Sequence, residues 1–285
     1  MNALNHVVNA VFDALLWPLE KLGRGPALVI TAGIFGVLAL VAFKHLSRQK
    51  AIARVKDRIK AHLIEIRIWA DDPRIVFTAI GKVLWANLRY LALNLLPFVP
   101  LSIPFTFVIA QCVVRYAFDP VPVRATSEHR LAGQGTTLRV ALKPGSATSV
   151  SGLQVRFPEG LELVSPLVRI PSEGLAFQEF HATRAGTFEI ELALADGTRV
   201  TKEFVAGDVQ PRRFQPDRAS GFWSAWLWPA EDAFEAASPF QRVHVDYPDS
   251  DIGWLPSGPG GVLLVFVISS MLFGALAIKP LKVEI

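Results

Sequence analysis

Residues 26–43, 91–115 and 254–278 are long apolar runs, and only the second carries a charged side chain, Arg115 at its last position. A hydrocarbon layer of about 30 Å is crossed by roughly 20 helical residues. Inside that layer a lone segment must bond all its peptide groups to itself, which a helix does. The three runs therefore predict an integral membrane α-helical protein with three transmembrane helices. Composition agrees, since the mean hydropathy is +0.36 and charged residues are only 19% of the chain, sparse for a water-soluble domain.

Charge sets the expected orientation. Residues 44–90 carry eleven Lys or Arg against Asp57, Glu65, Asp71 and Asp72, whereas residues 116–253 carry thirteen against eighteen Asp or Glu. Loops rich in Lys and Arg stay in the cytoplasm, so the basic loop is expected inside and the acidic segment outside. That places the N-terminus outside and residues 279–285 in the cytoplasm, in a bacterial inner (plasma) membrane. Residues 1–25 lack a basic leader, and the first span is read as a retained anchor. Cys112 is the single cysteine, which argues against a disulfide framework or a thiolate metal site.

Within residues 1–25, Asn2, Asn5, Asn9, Asp13 and Glu20 follow one helical stripe, and Leu4, Val7, Val8, Val11, Leu15 and Leu19 follow another. The pattern predicts an amphipathic helix lying in the external interface. Its Leu-Trp-Pro-x-Glu ending at Leu16–Glu20 returns at Leu227–Glu231. Two such short matches do not make a structural repeat, and both read as aromatic belts.

The basic loop repeats its apolar residues every three or four positions. Ile52, Val55, Ile59, His62, Ile66 and Trp69 make one seam; Val76, Ile80, Val83, Asn87 and Tyr90 make the other. A cytoplasmic coiled-coil hairpin over residues 44–90 follows. At its turn Asp72 can cap the second arm and Pro73 suits its first position. Lys50, Arg54, Lys56, Arg58 and Lys60 fall on outer faces. They form a docking surface for anionic lipid, or for a phosphate-rich partner such as the ribosome; DNA is not expected.

Residues 116–207 change to period two, with seven short strand-like stretches and an Asp196-Gly197 turn signal. They predict an extracytoplasmic all-β immunoglobulin-like sandwich. Residues 208–253 read as a Trp/Pro-rich interfacial return to the third span. Catalytic signals are sparse. Glu179 with His181, and His244 with Asp246, would share strand faces but lack a neighbouring nucleophile or third ligand. Asp246, Asp249 and Asp251 lack the Gly and terminal Glu of a calcium loop, and no phosphate-binding loop is present. No catalytic residue, metal site or cofactor is predicted, and an enzyme is not expected.

Polar groups inside the apolar runs are more informative. Asn94, Ser102, Thr106 and Gln111 accompany Pro97, Pro100 and Pro104 in the second span, and Thr31 sits in the first with Gly33 and Gly36. Each proline frees a carbonyl that needs a partner. The helix is either kinked and bonded locally, or it borders a water-accessible groove.

The order of these features resembles the YidC/Oxa superfamily of membrane-protein insertases, including its three-span relatives, over residues 1 to about 116. The residues that carry it are Asp71, Asp72 and Pro73 at the hairpin turn, and Asn94, Pro100 and Pro104 opening the second span. The resemblance implies a polar groove, open to the cytoplasm, that accommodates a client's hydrophilic segment. Thr31, Asn94, Ser102, Thr106 and Gln111 would line it, and the hairpin would receive clients. Residues 27–43 lack the arginine usual in the family's bacterial members, and the β-sandwich is an addition to the pattern. The expected function is an insertase-like membrane-protein chaperone or assembly factor. The alternative is a non-catalytic accessory subunit of a larger membrane complex that binds a partner through its sandwich. A third class is an ion or lipid conduit built on the same groove.

Overall fold

The computed structural model describes residues 2–47, 49–124, 135–209 and 213–283. Parts of the expected sandwich (125–134), return segment (210–212) and tail (284–285) lie outside the described residues. Two compact units are present: residues 1–28 with 107–265, and residues 29–106 with 266–285. Three helical stretches are long and apolar enough to cross a membrane: α2 (Arg24–Leu46), the run Pro73–Tyr116, and α7 (Gly258–Leu281).

In the unit of residues 29–106 and 266–285, glycine decides how α2 meets α7. A Cβ on Gly36 would stand 2.1 Å from the Ser270 carbonyl oxygen, and one on Gly33 would stand 2.7 Å from the Phe273 ring. Without side chains there, the two backbones come close enough for direct van der Waals contact. Phe35, Phe105 and Phe266 form a ring triad with centroids 5.6 Å apart in each pair. Leu40, Phe43 and Val283 form a buried cluster joined by Leu101.

The same unit holds the helical hairpin, α3 (Gln49–Ile68) and α4 (Pro73–Leu95). As the sequence predicts, Asp72 caps α4, its carboxylate accepting from the Arg74 and Ile75 amides, with Pro73 as the first helical residue. On α3 the seam contains buried Ile52 and Val55. On α4 it is turned from the expected register: Ala79 and Ala86 are buried while Ile80 and Asn87 are exposed. Alanine admits the facing helix more closely than isoleucine does, so the interface selects the small side chains. The opposite side of α4 leaves Phe77, Leu84, Leu88, Leu91 and Leu95 exposed. α4 also continues past the expected boundary, breaks at Leu96–Pro97, and is followed by α5 (Phe98–Tyr116).

The unit of residues 1–28 and 107–265 contains α1 (Asn2–Glu20) and an antiparallel β region. Each of the seven strand-like stretches carries a strand: β1 (Thr136–Leu142), β2 (Gln154–Arg156), β3 (Leu161–Leu163), β4 (Val168–Ile170), β5 (Leu175–Ala182), β6 (Gly186–Ala193) and β7 (Arg199–Ala206). The expected return segment departs from the prediction. It supplies β8 (Asp217–Ala219), α6 (Phe222–Leu227) and β9 (Phe240–Val245), and β9 lies between β1 and β8. One sheet runs β3-β5-β1-β9-β8, with β4 also paired to β5; the other runs β2-β6-β7. Buried Phe180 and Phe204, one from each sheet, meet with ring centroids 4.9 Å apart.

β7 is an edge strand whose outward peptide groups are largely occupied by side chains. Arg218 donates to the Thr201 carbonyl, and the Glu203 amide donates to Glu231. The Glu203 carbonyl accepts from Lys202, and the Val205 amide donates to the Tyr247 hydroxyl. Covering an edge in this way keeps it from pairing with a further strand.

Candidate functional site

The five expected groove residues divide into two groups. Gln111 is fully buried on α5 and is committed to α1, its amide donating to Asn9 Oδ1 at 2.8 Å. It is tied into a protein interface and does not line a groove. Asn94 belongs to the last turn of α4, where its amide donates to the Tyr90 carbonyl at 2.8 Å. Ser102 donates to Val99, and Thr106 to Ser102 and Ile103, all within α5. The locally bonded, proline-broken helix is thus present. Two oxygens remain unmatched: Asn94 Oδ1 and Thr31 Oγ1 are buried atoms with no protein partner among the described residues. Of the five, Ser102 has an exposed side chain.

The docking residues stand on α3. Lys50, Arg54, Arg58 and Lys60 are exposed and Lys56 is half-buried. Lys60 lies 3.9 Å from Asp57, an open ion pair of little energetic weight. Glu65 is held below the usual carboxylate range chiefly by its hydrogen bond with His62, helped by Lys82 of α4.

A polar assembly that the sequence reading did not foresee joins α1 to α5. Arg115 is 3% exposed and reaches Asp13 at 2.6 Å, the Asn9 carbonyl at 3.4 Å and Gln111 Oε1 at 3.3 Å. Arg213 approaches the same Asp13 oxygen at 3.4 Å. Asn5 and Asn9 are buried, and their amides donate to the carbonyls of Ala225 and Pro229 at 2.6 and 2.8 Å. The signal was legible: Asn5, Asn9 and Asp13 recur every fourth residue, as do Gln111 and Arg115, and matching spacings on two helices mark facing surfaces.

Two charged groups occupy the β region. Lys202 is fully buried, paired with Glu231, and donates to the Gln215 carbonyl at 3.0 Å. Burial, reinforced by Glu231, raises Glu203 above the usual carboxylate range. On the other sheet, His244 lies between two carboxylates, with Nδ1 at 2.9 Å from Asp217 and Nε2 at 2.8 Å from Asp246. The hydrogen bond with Asp217 raises its pKa, against opposing burial and with help from Asp246. For Asp217 burial pushes upward, yet His244 and Arg242 leave the carboxyl below its ordinary range. His181 is buried and lies 3.8 Å from Glu162. No cluster of three metal-ligating side chains occurs among the described residues. An open cleft of about 900 Å³ beside β6 and β7 is lined by Glu189, Glu191, Arg199, Arg218 and Asp232, among others.

No protein-family model, curated protein or solved structure matches this chain.

Proposed function

We propose that the chain is a three-span inner-membrane protein that acts as an insertase-like chaperone, holding the polar part of a client while its apolar part enters lipid. The N-terminus and the β region, with its immunoglobulin-like build, lie outside in this reading, and the hairpin lies in the cytoplasm. The single observation that supports it best is the pair of unmatched buried oxygens, Asn94 Oδ1 and Thr31 Oγ1, each on a helical stretch long and apolar enough to cross a membrane. A polar atom kept from water without a hydrogen bond costs about 1–3 kcal/mol. Water or the peptide groups of a guest would remove that cost. Ser102 on α5 adds an exposed hydroxyl.

A photo-crosslinking residue at Asn94 or Ser102 should capture many different nascent membrane proteins. Charge reversal of Lys50, Arg54, Lys56 and Arg58 to Glu should lower that yield. If cysteines at 94, 102 and 106 are all sealed from water-soluble reagents in native membranes, the groove does not exist and the reading fails.

The charged cleft beside β6 and β7 favours a second reading, an accessory subunit that grips one external partner. In that case gentle extraction returns one fixed companion in constant ratio, and the charge reversals change nothing.

A further inference from the structure

α1 is inverted relative to a helix that floats on a membrane. A surface helix turns its polar side to water. Here Asn5 and Asn9 are 2% and 4% exposed, while Val7 and Leu15 on the other side are 63% and 61% exposed. The buried asparagines serve the segment that follows β8. Asn5 donates to Ala225, Asn9 to Pro229, and Asn2 to Ala233 at 3.4 Å. Through them α1 touches α6, which also turns its apolar side chains outward, with Phe222, Trp223 and Leu227 exposed. The N-terminal half of α1 and α6 therefore expose their apolar side chains side by side.

We propose that α1 and α6 form a single foot of this unit, sunk into the acyl layer of one membrane leaflet. Irregular backbone is tolerated at that depth only where protein groups satisfy it, and the asparagines do this for carbonyls of residues 225–233. α1 contains no Lys or Arg, so the contact is with acyl chains rather than with headgroup charge. Trp17 and Lys21, stacked 3.6 Å from ring centroid to ammonium, mark the level where the helix leaves the hydrocarbon. The proposal rests on the reading of the three long helices as spans and is independent of client handling.

The test uses the full chain in phosphatidylcholine nanodiscs, with Cys112→Ala as background and a nitroxide on single cysteines at Val7, Leu15 and Trp223. Collision with oxygen should exceed collision with a water-soluble nickel chelate several-fold at all three sites. The order should reverse at exposed Glu173, which is labelled in the same way. An equal part of phosphatidylglycerol should leave the values unchanged. Nickel dominating at Val7 and Leu15 would place the foot in water and overturn the proposal. Low access to both reagents at all three sites would mean protein cover, and would overturn it too. The replaced side chains are exposed, so the fold is not at stake, and Val11→Cys gives an independent fourth position. A protein that captures no clients yet shows this accessibility pattern would lose its proposed function and keep the foot.

Discussion

Arg115 owes its buried charge to Asp13. Asp13→Asn should leave a guanidinium at 3% exposure without its nearest carboxylate and cost about 3 kcal/mol. That is the low end for a broken buried pair, because the Asp13 side chain keeps 32% of its surface. Thermal unfolding in detergent reads this loss, and Asp13→Glu should recover part of it. His244 gives a pH dependence of definite sign. Its folded pKa is raised, so its contribution is complete below the unfolded value of about 6.5 and disappears as pH climbs through the folded value. Asp217, held low, acts oppositely: its contribution is complete above the ordinary carboxylate range and fades as acid protonates it. The β8 amides should therefore exchange faster than intrinsic chemistry requires as pH rises past about 6.5, and His244→Asn should abolish that excess. At this scale the sequence was partly misleading. The sequence groups Gln111 with Asn94, Ser102 and Thr106 and leaves Arg115 at the end of a span, whereas the partners on α1 tie both into a buried interface.

Elements were more legible than side chains. Period two located seven strands, and the three-and-four repeat located both hairpin arms, because burial on one face imposes those periods directly. β8 and β9 escaped because their short runs sit among prolines and tryptophans, where composition masks alternation. The α4 seam was misregistered because apolar periodicity favours Ile80, whereas close helix approach favours Ala79 and Ala86. Ala86→Leu should accordingly force the arms apart and cost about 1–3 kcal/mol, visible as early loss of helicity on heating, while the same change at exposed Asn87 should be nearly silent. Gly36→Ala should do similar damage where α2 meets α7. Its new methyl would have to stand 2.1 Å from the Ser270 oxygen unless the helices part, and the readout is a lowered Tm in detergent.

For the whole molecule, the three apolar runs locate the three helical stretches long and apolar enough to cross a membrane, and the division into two units falls inside those helices rather than at their ends. The candidate groove was the least legible part. Proline and hydroxyl spacing indicates a broken helix, but only atomic positions separate the bonded Gln111 from Asn94, whose Oδ1 is unmatched. Reversing the charge of Lys50, Arg54, Lys56 and Arg58 should change stability by no more than about 0.5 kcal/mol per site, because surface charges contribute little. Any loss of client crosslinking would then report on docking alone. The occupied edge of β7 carries a last implication. Arg218, Glu231, Lys202 and Tyr247 already hold peptide groups that a visiting strand would need. That edge of the β2-β6-β7 sheet is thereby closed to strand addition, whether by a second copy of the chain or by an extended peptide.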